Sequence, residues 1–451
     1  MKYLIAITIL FTCSAYAQDI YFPPNNGDIW ETIAPERLSW NTDSLTGLHD
    51  YLEEKNTKSF IILKEGKIVV EWYFGDFTEN KVWYWASAGK SLTAFLIGQA
   101  QEEGLLDIHD KTLKYLGQGW TAASADKEDK ITIRHQLTMT SGLDDDIENN
   151  TCTLDSCLHY HSDAGNRWAY HNAAYTLLLD VIEEASGLSK NRFTQTHLLN
   201  RIGMNGLWIK LGYNQIYYSN TRSMARFGLL VQNRGIWESD TLLHDINYIE
   251  AMTFSSQSIN KSYGYLWWLN GKGGYMLPLS QLIFDTDLIP NAPDDLIAAL
   301  GKDDQKIYIS DSLGLTIVRM GQSAGHDNFA LSSFDNELWG KIMRLGSNIT
   351  TIDYSAEISN KSSSNNFGLS QNTPNPFNDE TIIQFTLPNA GRARAQVYSL
   401  QGKRVDTLAD AQFPAGKTFL KFQASNLPSG IYFLILSTND ATRFKKMTLL
   451  R

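Results

Sequence analysis

The sequence predicts an α+β chain that ends in a small, separate all-β module. Three observations carry this. Apolar residues recur at helical spacing in two runs: Leu92, Phe95, Leu96 and Ala100, stopped at Gly104, and Leu177, Leu178, Val181 and Ile182, stopped at Gly187. Strand-like segments come in hairpin pairs on either side of those runs, over residues 60–73 and again where 299–309 meets 315–320 through the 310–314 turn. Past a Ser- and Asn-rich stretch at 355–366, only short alternating strands remain.

The N-terminus reads as a secretory signal peptide over residues 1–17. Lys2 precedes the apolar run 4–11, and Ala15-Tyr16-Ala17 supplies a small-residue cleavage site before Gln18. Cys13 does not suit a lipoprotein anchor, because Thr12 is a poor residue ahead of a lipidated cysteine. No other apolar stretch is long enough to span a bilayer. The expected location is therefore secreted, extracellular or on the outer cell surface, reached through the periplasm. In that oxidising setting Cys152 and Cys157, which bracket a short polar loop, are either a local disulfide or two reduced loop cysteines. His159 and His161 lie close by, but two loop histidines are more often unligated, so neither a metal nor a cofactor is expected. A formal net charge of −10 argues against a nucleic-acid partner. A monomer is expected.

Ser87-Ala88-Gly89-Lys90 opens the first helical run with a hydroxyl and an amine at i and i+3. Residues three apart share a helix face, so the amine reaches the hydroxyl. A serine is a weak nucleophile until a base takes its proton, and a lysine serves only if burial or a neighbouring cation lowers its pKa. By itself the tetrapeptide also fits a capping serine followed by a surface lysine. Tyr170-His171-Asn172 stands directly ahead of the second helical run, over 173–186. Asn172 suits a helix cap there, and Tyr170 suits a core position, besides any chemical role.

These motifs, with the segments 131–143 and 221–228, resemble the serine β-lactamase and penicillin-binding-protein superfamily over about residues 41–345. The likeness is to its class C-like branch of esterases and related hydrolases. It implies an antiparallel sheet flanked by helices, with a helical subdomain carrying Tyr170. It also implies that Ser87 is the acylated nucleophile, that Lys90 and Tyr170 share the proton transfer, and that Asn172 positions substrate. A phenol becomes a usable base only beside a cation, which Lys90 would supply. The backbone N–H of Ser87 and one from the strand near Gln305 would form the oxyanion hole.

The third motif departs from the family. Where Lys-Thr-Gly or a His-Gly-Gly variant is usual, this chain has Gly301-Lys302-Asp303-Asp304-Gln305. Lys302 aligns with the motif's cation, and Lys302, Asp304 and Gln305 are the substrate-binding candidates. On a strand the two aspartates point to opposite faces, so at most one faces the groove. One acidic side chain there disfavours anionic substrates, so neutral esters or amides should be preferred over penicillins. Gly321-Gln322-Ser323-Ala324-Gly325 matches a nucleophile elbow of another fold. That fold needs an acid and then a histidine later in the chain, and the last histidine is His326, directly after the elbow.

The C-terminal module reads as an Ig-like β-sandwich with strands at 381–387, 393–398, 417–422 and 431–436. Residues 372–377, 427–432 and the basic end at 443–451 resemble the sorting domain of type IX secretion, which implies that export machinery as a partner. The expected organisation is a signal peptide (1–17), a hydrolase domain (18–350), a linker (351–366) and a sorting domain (367–451). The expected activity is ester or amide hydrolysis through an acyl-enzyme on a small-molecule, peptide or ester substrate. A β-lactamase or D-Ala-D-Ala carboxypeptidase is the alternative within this class. A catalytically silent cell-surface binding protein is the alternative outside it.

Overall fold

A computed structural model of the chain describes residues 20–27, 29–325, 331–346, 367–399, 404–438 and 442–451. The expected signal peptide, the expected linker and His326 lie outside the described residues.

Helix α1 (Thr42–Glu54) starts where the Asn41 side chain accepts the Ser44 N–H at 2.7 Å. It leads into the hairpin β1 (Thr57–Lys64) and β2 (Lys67–Tyr73), the pair expected over 60–73. A short strand, β3 (Trp83–Tyr84), precedes α2 (Gly89–Glu102). Every residue of α2 from Gly89 to Ala100 is buried, so this helix runs through the core rather than along a surface. Helix α3 (Asn172–Ser186) ends at Gly187 with a left-handed φ of 68°, the stop read from the sequence. Strands β4 (Leu207–Leu211) and β5 (Asn214–Ser219) join β3 in a small sheet of order β3-β5-β4. Helix α4 (Thr221–Gln232) follows.

The main sheet is completed by β6 (Trp268–Leu269), β7 (Ile297–Gly301), β8 (Gln305–Ser310) and β9 (Leu315–Gly321). After it comes α5 (Ser333–Ile342). The strand order is β2-β1-β9-β8-β7-β6, antiparallel throughout. All residues of β8 and β9 are buried, because helices cover both faces. On one face Gly228 of α4 lies so close that a Cβ would sit 2.6 Å from Thr316 Cγ2. On the other, Tyr51 of α1 stacks on Phe334 of α5 at 5.8 Å, and Trp339 meets Tyr308 at 5.7 Å.

One sequence expectation is corrected here. Residues 299–309 are not one strand: a tight 3-10 turn, Lys302–Asp304, separates β7 from β8. Asp303 and Asp304 adopt left-handed φ values of 59° and 58°, a conformation aspartate tolerates better than most residues. The apolar flanks on both sides had disguised a hairpin as a continuous strand.

The C-terminal region forms two antiparallel sheets. Its strands are β10 (Gly368–Leu369), β11 (Glu380–Leu387), β12 (Gly391–Ser399), β13 (Arg404–Phe413), β14 (Gly416–Gln423), β15 (Gly430–Ser437) and β16 (Thr442–Leu449). The orders are β10-β11-β14 and β13-β12-β15-β16. The two sheets enclose one core that includes Ile383, Phe385, Val397, Phe422, Leu434 and Leu436. That core shares no residue with the larger core around α2 and the main sheet. Among the described residues no helix is long and apolar enough to cross a membrane.

Candidate active site

The nucleophile turn is built from outside α2. Strand β3 pairs with β5, setting Tyr84 opposite Tyr218. The next residue, Trp85, donates its backbone N–H to Tyr217 O and its indole N–H to Ser219 Oγ, both at 2.8 Å, and is fully buried. Ala86 then takes a left-handed φ of 47°, uncommon without glycine. The 3-10 turn Ala86–Ala88 delivers a partly exposed Ser87 to the start of α2. Against this turn lies the end of β7. A Cβ on Gly301 would sit 2.4 Å from Trp85 O and 3.1 Å from Ala88 N, so only glycine allows the two backbones to touch.

Lys90 Nζ lies 2.8 Å from Ser87 Oγ and 2.9 Å from Asn172 Oδ1. The amine is enclosed by the rings of Tyr175 and Tyr170, at 3.9 and 4.9 Å from their centroids. Burial drives its pKa well below the usual lysine range, and no carboxylate opposes the shift. Asn172 is the first residue of α3. Its Nδ2 donates to Asn150 Oδ1 at 3.0 Å. The helix cap is instead His171, whose Nδ1 accepts the Ala174 N–H.

Tyr170 is buried among Trp268, Trp168 and Tyr263, with centroid distances of 5.9, 6.3 and 6.3 Å. Desolvation raises its pKa, and a hydrogen bond with Ser87 offsets this only in part. Burial disfavours the charged form of both the amine and the phenol, which runs against the expectation of a cationic Lys90 turning Tyr170 into a base.

The third-motif residues separate. Lys302 is exposed. Asp304 is buried away from solvent, 3.2 Å from Lys306 Nζ, and accepts from Ala324 N and Ser332 Oγ at 2.9 and 2.7 Å. Lys306 also reaches Asp335 at 2.8 Å, so this network fastens the 302–304 turn to α5. As a substrate contact Asp304 is corrected, because its carboxylate is already satisfied inside the protein. Gln305 braces β8 to β9, donating to Gly321 O at 2.7 Å and accepting from Gly321 N at 3.1 Å. Asp303 stays half-exposed, accepting the Tyr84 hydroxyl at 2.5 Å.

Ser323 is not on an elbow. Its hydroxyl donates to Gly325 O within its own turn, past the end of β9. Tyr218-Ser219-Asn220, which mimics the Tyr-x-Asn pattern, holds the nucleophile turn through Ser219, while Asn220 caps α4 by accepting the Ser223 N–H. Sequence reasoning missed Gly301, Ser219 and Asn150. Gly301 was legible as a glycine at the end of an apolar run; nothing local marks the other two. Cys152 and Cys157 are joined by a disulfide. Among the described residues no group of three or more His, Cys, Asp or Glu is placed to hold a metal.

Comparison with known proteins places the chain in a family. Residues 53–288 match the model of the Beta-lactamase family, and residues 373–449 match that of the secretion system C-terminal sorting domain. Penicillin-binding protein 4* of Bacillus subtilis (strain 168) is 31% identical over 142 residues, covering 28% of this chain and 30% of that protein. The chain spans only 30–42% of the length of the curated relatives it matches. A solved Bacillus anthracis protein assigned as a 6-aminohexanoate-dimer hydrolase superposes with TM-score 0.56 at 18% identity, covering 72% of this chain and 89% of that one. A penicillin-binding-protein homologue from Caulobacter crescentus gives 0.50 at 12% identity, covering 66% and 97%. These two likenesses are of fold. With half its length inside the family model and Ser87, Lys90 and Tyr170 gathered at one point, the chain belongs to the Beta-lactamase family of serine hydrolases and carries a C-terminal secretion sorting domain.

Proposed function

We propose that this protein is a secreted serine hydrolase that cleaves ester or amide bonds through an acyl-enzyme on Ser87. The observation that carries the reading is the buried Lys90 amine, 2.8 Å from Ser87 Oγ, whose pKa burial lowers well below the usual lysine range. In acylation the Ser87 proton passes to Lys90 as Oγ bonds to the acyl carbon. The Tyr170 phenol gives its proton to the leaving oxygen or nitrogen as that bond breaks. In deacylation the Tyr170 phenolate, a strong base because its pKa is raised, takes a proton from the attacking water. Ser87 then leaves with the proton held on Lys90, and every group returns to its starting state. The Ser87 N–H and a backbone N–H just past Gly301 are the candidate oxyanion donors, a role suited to the contact between β7 and the nucleophile turn.

The substrate reading is neutral ester or amide over penicillin; it is supported by the half-exposed carboxylate of Asp303 beside Tyr84, which would disfavour an anionic substrate in an adjoining groove. Export proceeds by signal cleavage after Ala17, followed by recognition of the C-terminal domain by type IX machinery.

Intact-mass labelling with a fluorophosphonate tests the site. One adduct is expected, absent in Ser87→Ala. No adduct on folded protein would mean a silent binding protein, and nitrocefin turnover far above that of short aryl esters would mean a β-lactamase.

A further inference from the structure

We propose that Asn150 is a positioning residue for the catalytic base, held in place by the Cys152–Cys157 disulfide. This rests on the reading of Ser87 as nucleophile and Lys90 as its base. A neutral amine has two N–H groups and one lone pair. The Asn172 amide faces it and has two different ends. With its carbonyl toward Lys90, it accepts an amine N–H and leaves the lone pair for the Ser87 proton. With its NH2 end toward Lys90, it would occupy the lone pair and silence the base.

The structure has the carbonyl facing in, at 2.9 Å, because the NH2 end is engaged elsewhere: Asn172 Nδ2 donates to Asn150 Oδ1 at 3.0 Å. Asn150 is itself fixed on both sides. Its backbone carbonyl accepts the Ala173 N–H at 3.0 Å, satisfying one of the free donors in the first turn of α3. Immediately beyond, Cys152 N donates to Asn149 O at 3.0 Å, Cys152 is buried, and the disulfide to Cys157 closes the loop. The cross-link thus lies two residues from the side chain that sets the orientation of Asn172, and through Asn172 the reactivity of Lys90.

The test is the pH dependence of fluorophosphonate labelling of the full secreted protein. Asn150→Leu should lower the plateau rate by about tenfold, the worth of one interior hydrogen bond. Its acid limb should move to lower pH, because the ammonium form loses its carbonyl acceptor. General loosening would instead admit water and move the limb up toward an ordinary lysine. Asn150→Asp keeps the acceptor, so it should keep the plateau, with the limb displaced upward by the added negative charge. Dithiothreitol, which reduces the bond to two thiols as it closes to its own cyclic disulfide, should slow wild-type labelling. It should leave an already slow Cys152→Ser/Cys157→Ser variant unchanged.

An Asn150→Leu variant with a wild-type rate and limb, or with the limb moved upward, overturns the proposal. Should that variant fail to fold, undiminished labelling after complete reduction overturns it equally. If wild type takes no label at all, the nucleophile reading falls and this inference with it. Labelled wild type beside an unaffected variant removes the inference alone.

Discussion

In the proposed mechanism Lys90 is the residue on which both the chemistry and the stability of the site turn. Its pKa is depressed by burial, so between that lowered value and the ordinary lysine value of 10.5 the unfolded chain binds a proton that the folded chain does not. Folding stability therefore falls as pH drops through this window and is fully recovered only above it. In the proposed mechanism activity follows the same group, because only the neutral amine accepts the Ser87 proton. Lys90→Met should reduce fluorophosphonate labelling by roughly 10²–10⁴-fold, the usual worth of a positioned base. The same change should raise the melting temperature, by about 2–4 °C for each kcal/mol recovered. A variant that loses both rate and melting temperature would contradict a buried neutral amine. Ser87, Lys90, Tyr170 and Asn172 were readable from sequence because each pair sits at a fixed offset next to a helix start. Asp304 was not. Its fate was decided by Lys306, Ser332 and Asp335, partners that only the folded sheet and α5 bring together.

At the scale of elements, two contacts fix the site. The first is the start of α3. His171, wedged between Tyr170 and Asn172, caps the helix through its ring, and burial lowers its pKa to about 4. A histidine with a depressed folded pKa gives full stability above pH 6.5 and loses it as pH falls toward 4. The window is worth about 3 kcal/mol at 1.36 kcal/mol per unit. His171→Asn keeps a capping oxygen and has no proton to bind. Its unfolding free energy, measured by urea titration from pH 7 to pH 4, should fall less steeply than that of the wild type. The second contact is β7 against the nucleophile turn. Gly301→Ala places a methyl 2.4 Å from Trp85 O, and backbone at both sides cannot yield as a side chain would. Labelling of Ser87 should drop sharply even where circular dichroism shows the fold intact; normal labelling would mean that β7 does not set the turn. Helices α2 and α3 and the hairpins β1–β2 and β8–β9 were legible from spacing. The 302–304 turn was not, because its break in pattern is only three residues long.

For the whole molecule, the change in pattern marked out a separate C-terminal module, but the sandwich was only half visible. Four of its strands alternate or run apolar between turn residues. β13 is exposed or half-exposed along its whole length, so no apolar face announced it, and β16 was read only as a basic tail. Two cores with no common residue, touching through the rings of Phe284 and Phe433 at 6.3 Å, predict two calorimetric transitions on heating, since melting one leaves the other core's own contacts in place. A single transition satisfying the two-state test would mean the parts are thermodynamically fused.

The tryptophans allow those transitions to be told apart by light. All twelve lie at or before residue 339, and none falls within 367–451. Trp85, Trp168, Trp237, Trp267, Trp268 and Trp339 are fully buried, shielded from the water that shifts indole emission to the red. Intrinsic tryptophan fluorescence therefore follows the hydrolase alone, and the sorting domain unfolds without changing that signal. A thermal step seen by heat capacity but not by emission wavelength belongs to the C-terminal sandwich, so one unmodified sample yields the stability of each part.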